Sequence, residues 1–122
     1  MIKISDAELE VMKVIWTRGE ITSNEIIEEL KDYSWNFNTI RTLIKRLHKK
    51  GAIDVVGKKG KAYTYKAMLE ESKYKNELTL DLLNKLYNNS INEFILDYCR
   101  NAEAESAEDI QKIIKDIMDK MD

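Results

Sequence analysis

The chain reads as a mainly α protein: an N-terminal winged helix-turn-helix of three helices plus a β-hairpin wing, then a C-terminal three-helix dimerisation domain. Three observations predict this. Apolar residues recur at helical spacing through most of the 122 residues. Beyond Gly51 that period gives way for a short stretch to strict alternation. Most of the helical stretches also begin at a side chain suited to capping them.

Ser5-Asp6-Ala7-Glu8 is a capping box, in which the Ser5 hydroxyl takes the Glu8 amide and Glu8 reaches back. Leu9, Met12, Ile15 and Trp16 follow at helical spacing and end near Gly19. Thr22-Ser23-Asn24-Glu25 is a second capping box, with Ile21 and Ile26 at the offsets of a hydrophobic staple and Ile27 and Leu30 as an inward stripe. A third helix starts near Asn36, with Trp35 and Ile40 at staple spacing, and runs through Ile40, Leu43, Ile44 and Leu47 to a stop at Gly51. Ile53 and Val55 then face one way, and Tyr63 and Tyr65 match them beyond a turn at Gly57-Lys58-Lys59-Gly60-Lys61. That alternation predicts a β-hairpin with a basic tip.

These elements fill residues 1–69, the expected winged-helix domain, and residues 70–122 form the second domain. Its first helix, Glu71 to Tyr87, carries Tyr74, Leu78, Leu82, Leu83 and Leu86 and ends at Asn88-Asn89. Ser90 and Glu93 cap a shorter helix bearing Ile91, Phe94, Ile95 and Tyr98. Ser106 and Asp109 open the last helix, whose stripe is Ile110, Ile113, Ile114, Ile117, Met118 and Met121. Units below roughly 60 residues bury little surface alone. The economical solution is a second copy, with Leu82, Leu83, Leu86, Phe94, Ile95, Tyr98, Ile110, Ile113, Ile114 and Ile117 as the dimerisation residues.

Charge assigns the two halves different work. Residues 1–66 hold 13 bases and 9 acids, whereas 67–122 hold 7 and 13. Between Arg41 and Lys66 nine bases face one acid, Asp54, although the whole chain is slightly acidic. A basic helix followed by a basic hairpin is the footprint expected for duplex DNA. With Ile40, Leu43, Ile44 and Leu47 inward, Asn38, Arg41, Thr42, Lys45 and Lys49 fall on the outward face, and Thr39 borders it. Arg41 can fork to guanine, and Thr42 can touch a thymine methyl or accept a base-edge hydrogen bond. Arg46, Lys49 and Lys50 lie nearer the flank, where phosphates run, and Lys58, Lys59 and Lys61 make the wing tip. The bland alternative is a solvated lysine-rich face. A second alternative is a winged-helix adaptor for acidic partner proteins.

Other chemistries fare poorly. His48 is the sole histidine and has no metal-spaced companion; Cys99 is the sole cysteine and cannot form an internal disulfide. The chain carries no phosphate-cradling glycine loop and no nucleophile elbow, so no catalytic residue, metal or cofactor is expected. Glu28-Glu29 and Glu70-Glu71 fall on polar faces, and Trp16 and Trp35 sit beside helix-core positions. No stretch reaches the ~20 apolar residues of a membrane span. The polar face of the last helix is acidic or mixed, which favours a partner helix over a lipid surface. The start lacks a secretory leader, and a reducing cytoplasmic setting is the expectation.

The run from Ile4 through Met12 to Ile15-Trp16, then Asn24-Glu25-Ile26, and above all Thr39-Ile40-Arg41-Thr42-Leu43-Ile44-Lys45-Arg46-Leu47 with Lys49-Lys50-Gly51, resembles the BlaI/MecI penicillinase-repressor family. The likeness extends to Lys85-Leu86-Tyr87. It implies a cytoplasmic dimeric winged-helix repressor of a resistance or stress operon, seated on a palindromic operator with half-sites of the TACA/TGTA kind. In better-known members a membrane β-lactam sensor with a zinc protease domain triggers cleavage of the repressor at an Asn-Phe bond. Here Asp97-Tyr98 stands in that position and is the candidate cleavage point. Related copper-responsive repressors carry a C-terminal cysteine cluster; with Cys99 alone, the resemblance does not extend to copper sensing.

Overall fold

The computed structural model describes residues 1–101 and 107–121. It divides into two compact units, Met1–Glu77 and Leu78–Asp122. The elements run α1 (Asp6–Arg18), β1 (Glu20–Thr22), α2 (Ser23–Glu29), α3 (Phe37–Lys49), β2 (Ile53–Lys59), β3 (Ala62–Ala67), α4 (Glu71–Leu86), α5 (Ile91–Asn101) and α6 (Ala107–Lys120). The architecture is a winged helix-turn-helix followed by helices, as the sequence predicts.

The caps act where the sequence places them. Glu8 N donates to Ser5 Oγ at 3.1 Å while Ser5 N donates back to Glu8 Oε1 at 2.9 Å. Thr22 and Glu25 repeat the exchange at the start of α2. Thr39 N donates to Asn36 Oδ1 at 2.9 Å and opens α3. Each exchange satisfies amides that the first helical turn leaves unpaired. Helix α1 ends at Gly19, whose φ of +84° a side chain would resist, and the Gly19 amide donates to Ile15 O at 2.8 Å.

The sheet departs from expectation in three ways. It has three strands in the order β1-β3-β2, and β1 pairs antiparallel with β3 through Ile21 and Tyr65. Three residues are too few to show an alternation, so sequence periodicity passes over β1. Within the hairpin Val55 does pair with Tyr65, which in an antiparallel ladder sets Ile53 against Ala67, and a bulge between Val55 and Gly57 then shifts the register so that Tyr63 pairs with Lys58. The tip is also tighter than the five-residue turn expected: Lys58 and Lys59 belong to β2, and Gly60, at φ +65°, turns the chain.

The first unit has one core. Val11, Met12 and Ile15 of α1, Ile26 of α2, Ile40, Leu43, Ile44 and Leu47 of α3, and Ile21, Leu30, Ala52, Ile53, Leu69 and Tyr74 are all buried in it. Trp16 packs on this core, tilted against Tyr74 at 5.9 Å, and its indole donates to Leu69 O at 2.8 Å. Trp35 also packs on it, with Tyr33 stacked outside at 4.7 Å. The first turns of α4 are thereby tied to the winged helix.

In the second unit α4 ends where Asn88 and Asn89 adopt φ of 50° and 63°, a left-handed geometry that asparagine tolerates better than most residues. Ser90 Oγ accepts from Glu93 N at 3.2 Å and starts α5. Tyr87 meets Phe94 edge-on at 5.4 Å, and its hydroxyl donates to Asp97 Oδ2 at 2.8 Å, which pins the two helices at their junction. Ser106 and the Ile110 side chain lie outside the described residues.

One buried ion pair crosses the first unit. Glu8, 2% exposed, accepts from the Lys50 ammonium, which also donates to Lys3 O at 2.8 Å. Burial by itself would raise the Glu8 carboxyl, but hydrogen bonds from Lys50 and Ser5 outweigh it and hold the group below its ordinary value of 4.5. The folded state therefore binds this proton less readily than the unfolded chain. The stabilisation is complete above 4.5 and is lost as pH falls through the depressed folded value. In urea melts, the stability advantage of wild type over Glu8→Gln should be largest near neutrality and narrow in acid; a gap independent of pH would contradict the assignment. Lys50→Met, which strands the carboxylate, should cost ~1–3 kcal/mol at neutral pH.

Candidate nucleic-acid interface

Helix α3 decides where the basic groups point. Ile40, Leu43, Ile44 and Leu47 are all under 5% exposed, so the opposite face is committed to solvent. Asn38, Thr39, Arg41, Thr42, Lys45, Arg46 and Lys49 are exposed along it, and Lys58, Lys59 and Lys61 are exposed on the hairpin. Among the described residues Arg41, Lys45, Arg46, Lys49, Lys58 and Lys61 form no ion pair. Uncompensated cations on one face produce a field that attracts a polyanion.

Individual groups have more specific settings. The Arg41 guanidinium lies over the Phe37 ring, 5.3 Å from its centroid. The Thr42 hydroxyl donates to Asn38 O at 2.9 Å, so its lone pairs and methyl remain for an incoming group. The Thr39 hydroxyl donates to the capping Asn36 Oδ1 at 3.2 Å and is similarly left as an acceptor. Ser23, Arg41, Ile44, Lys45 and Tyr65 enclose a shallow hollow beside the face. On the wing, the Lys58 ammonium stands over the Tyr63 ring at 5.0 Å.

Two basic-stretch residues are occupied elsewhere. Lys50 is half turned inward by Glu8 and Lys3, so its ammonium joins α3 to the N-terminal segment rather than standing free at the flank. His48 Nε2 lies 3.3 Å from Asp54 Oδ1, and its ring meets Tyr65 edge-on at 6.5 Å. The one acid in the basic stretch is thus held by the one histidine. Helical periodicity in the sequence marks the bases but not Phe37, whose only signal is its place four residues before Arg41.

The expected dimerisation residues divide. Leu82, Leu86, Ile95, Tyr98, Ile113, Ile114 and Ile117 are exposed, Leu86 to 69%, whereas Phe94 is half-buried and Leu83 is buried. Leu78, Leu82 and Leu86 line an apolar groove along α4. Asp97-Tyr98 lies within α5, with the Asp97 carboxylate accepting from the Tyr87 hydroxyl and from Asn101 Nδ2 at 3.2 Å. A protease needs extended backbone, so α5 must open before this bond can be cut. Cys99 is a half-buried free thiol. Among the described residues no cluster of His, Cys, Asp and Glu could hold a metal, and no helix is long and apolar enough to cross a membrane.

Residues 4–118 match the family model described as penicillinase repressor. The chain is 41% identical over 112 residues to the penicillinase repressor of Bacillus licheniformis, covering 91% of this chain and 86% of that one. It is 38% identical over 112 residues to the methicillin resistance regulatory protein MecI of Staphylococcus aureus strain N315, covering 91% and 89%. The solution structure of the Bacillus licheniformis BlaI monomeric form in complex with the blaP half-operator superposes with a TM-score of 0.53 at 47% identity, over 61% of this chain and 92% of that one.

Proposed function

The chain belongs to the penicillinase repressor family, and on that premise we propose that it is a DNA-binding transcriptional repressor acting as a homodimer on a palindromic operator. The observation that carries the reading is the outward face of α3, where Arg41, Lys45, Arg46 and Lys49 are exposed above a buried apolar stripe and form no ion pair among the described residues. The relative bound to its half-operator supports duplex DNA as the ligand over an acidic protein partner.

In this reading α3 enters the major groove. Arg41 forks to a guanine edge, and Thr42 accepts from a base amino group because its own proton is already donated to Asn38. Lys45, Arg46 and Lys49 neutralise phosphates along the groove, and Lys58, Lys59 and Lys61 do so from the wing. These contacts make affinity fall with salt, while Arg41 and Thr42 supply the sequence preference. The exposed apolar residues of α4, α5 and α6 are assigned to the second copy, which turns binding of the second half-site into a nearly intramolecular event. Loss of that unit relieves repression. Asp97-Tyr98 is the position at which a membrane sensor protease would cut once α5 opens, and the site of action is the cytoplasm.

Sedimentation and mobility-shift titration of the full-length protein test the dimer. Leu86→Glu with Ile117→Glu should yield a folded monomer that binds a palindromic duplex on the order of a hundredfold or more weakly; a dimeric variant, or unchanged affinity in a monomer, would defeat the assignment.

A second titration separates readers from positioning charges. Arg41→Ala should bring matched and mismatched duplexes closer in affinity. Lys59→Ala should weaken all duplexes alike and lower the salt slope by about one. Identical behaviour of the two variants would show the face to be misassigned.

A further inference from the structure

A large aromatic side chain in water needs a reason. Phe37 is 53% exposed at the first position of α3, beside the buried stripe rather than within it. Its ring packs under the Arg41 guanidinium at 5.3 Å, one helical turn away. Arg41 has no carboxylate in an ion pair with it among the described residues, so this ring is the contact that restrains it. A guanidinium held over an aromatic face keeps its N–H groups available to a planar acceptor pair, and it loses less rotamer freedom when it binds one. The exposed part of the ring is apolar, a surface suited to the one apolar group in the major groove, the thymine 5-methyl.

We infer that Phe37 is a specificity-determining residue: it positions Arg41 for a guanine edge and offers its own ring to the methyl group of a nearby thymine in the same half-site. The inference rests on the operator-binding reading given above. It adds that Phe37 and Arg41 work as one unit, and that removing the ring blunts Arg41 without touching it. Because the ring is solvent-exposed and outside the core, its removal should leave the melting temperature nearly unchanged.

The test uses full-length protein and a palindromic duplex with TACA/TGTA half-sites, together with versions in which each thymine is replaced singly by deoxyuridine and each guanine by 7-deazaguanine. Deoxyuridine removes only the methyl, and 7-deazaguanine only the N7 acceptor. Wild type should lose roughly two- to fivefold affinity at one deoxyuridine position, and more at one 7-deazaguanine position. Phe37→Ala should abolish the first loss and reduce the second by roughly two- to fivefold. Phe37→Leu should retain the methyl response while its guanine response falls to that of Phe37→Ala. Adding Phe37→Ala to Arg41→Ala should cost no further guanine discrimination. Full responses to both modified bases in Phe37→Ala, or full guanine discrimination in Phe37→Leu, would overturn the inference while the operator reading stands. A wild-type protein that binds every duplex alike would overturn both.

Discussion

Burial of the α3 stripe is the constraint on which the rest depends. Ile40, Leu43, Ile44 and Leu47 lock into the side chains of α1 and α2, and each fully buried side chain of this kind contributes about 1.5–3 kcal/mol. Rotation of the helix by a quarter turn would expose part of the stripe and bury lysines. The same packing that folds the first unit therefore aims Arg41, Thr42 and Lys45 outward. The outward placement of these groups is a by-product of core formation.

The Glu8–Lys50 pair supports that arrangement from the other end of the helix. Lys50 follows the last residue of α3 and reaches the capping box of α1, so one ammonium joins two helix termini. By charge alone it belongs with its basic neighbours. Its partner, a buried carboxylate already holding the Ser5 amide, gives it a structural task. The second unit follows the opposite logic. Its α5 is capped by Ser90 and tied to the end of α4 through Tyr87, yet Leu82, Leu86, Ile95 and Ile117 are left in water.

Much of this was legible in the chain. Capping boxes are written in four consecutive residues and depend on nothing distant, so Ser5–Glu8 and Thr22–Glu25 could be placed directly. The α3 stripe was legible because a strong 3.6-residue period leaves one inward face. Strand β1 was not, since Glu20–Thr22 acquires its identity only by pairing with β3. The bulge at Val56 and the tight Gly60 turn were equally hidden, because register is negotiated between two strands and the tip between them.

The sequence by itself determined the helices, the caps of α1, α2, α3 and α5, the outward placement of the basic residues and the division into a basic and an acidic half. These follow from local chemistry and from periodicity, which a single chain carries complete. Only the tertiary structure decided how those residues are partnered: Lys50 turned in to Glu8, Asp54 beside His48, Arg41 laid over Phe37, and Asp97 tied to Tyr87 inside a helix. Partnership depends on distances between side chains and on backbone geometry at turns, which charge and spacing do not specify. The basic stretch was visible as charge; the fold separated the cations that face outward from Lys50, which ties the end of α3 to the start of α1.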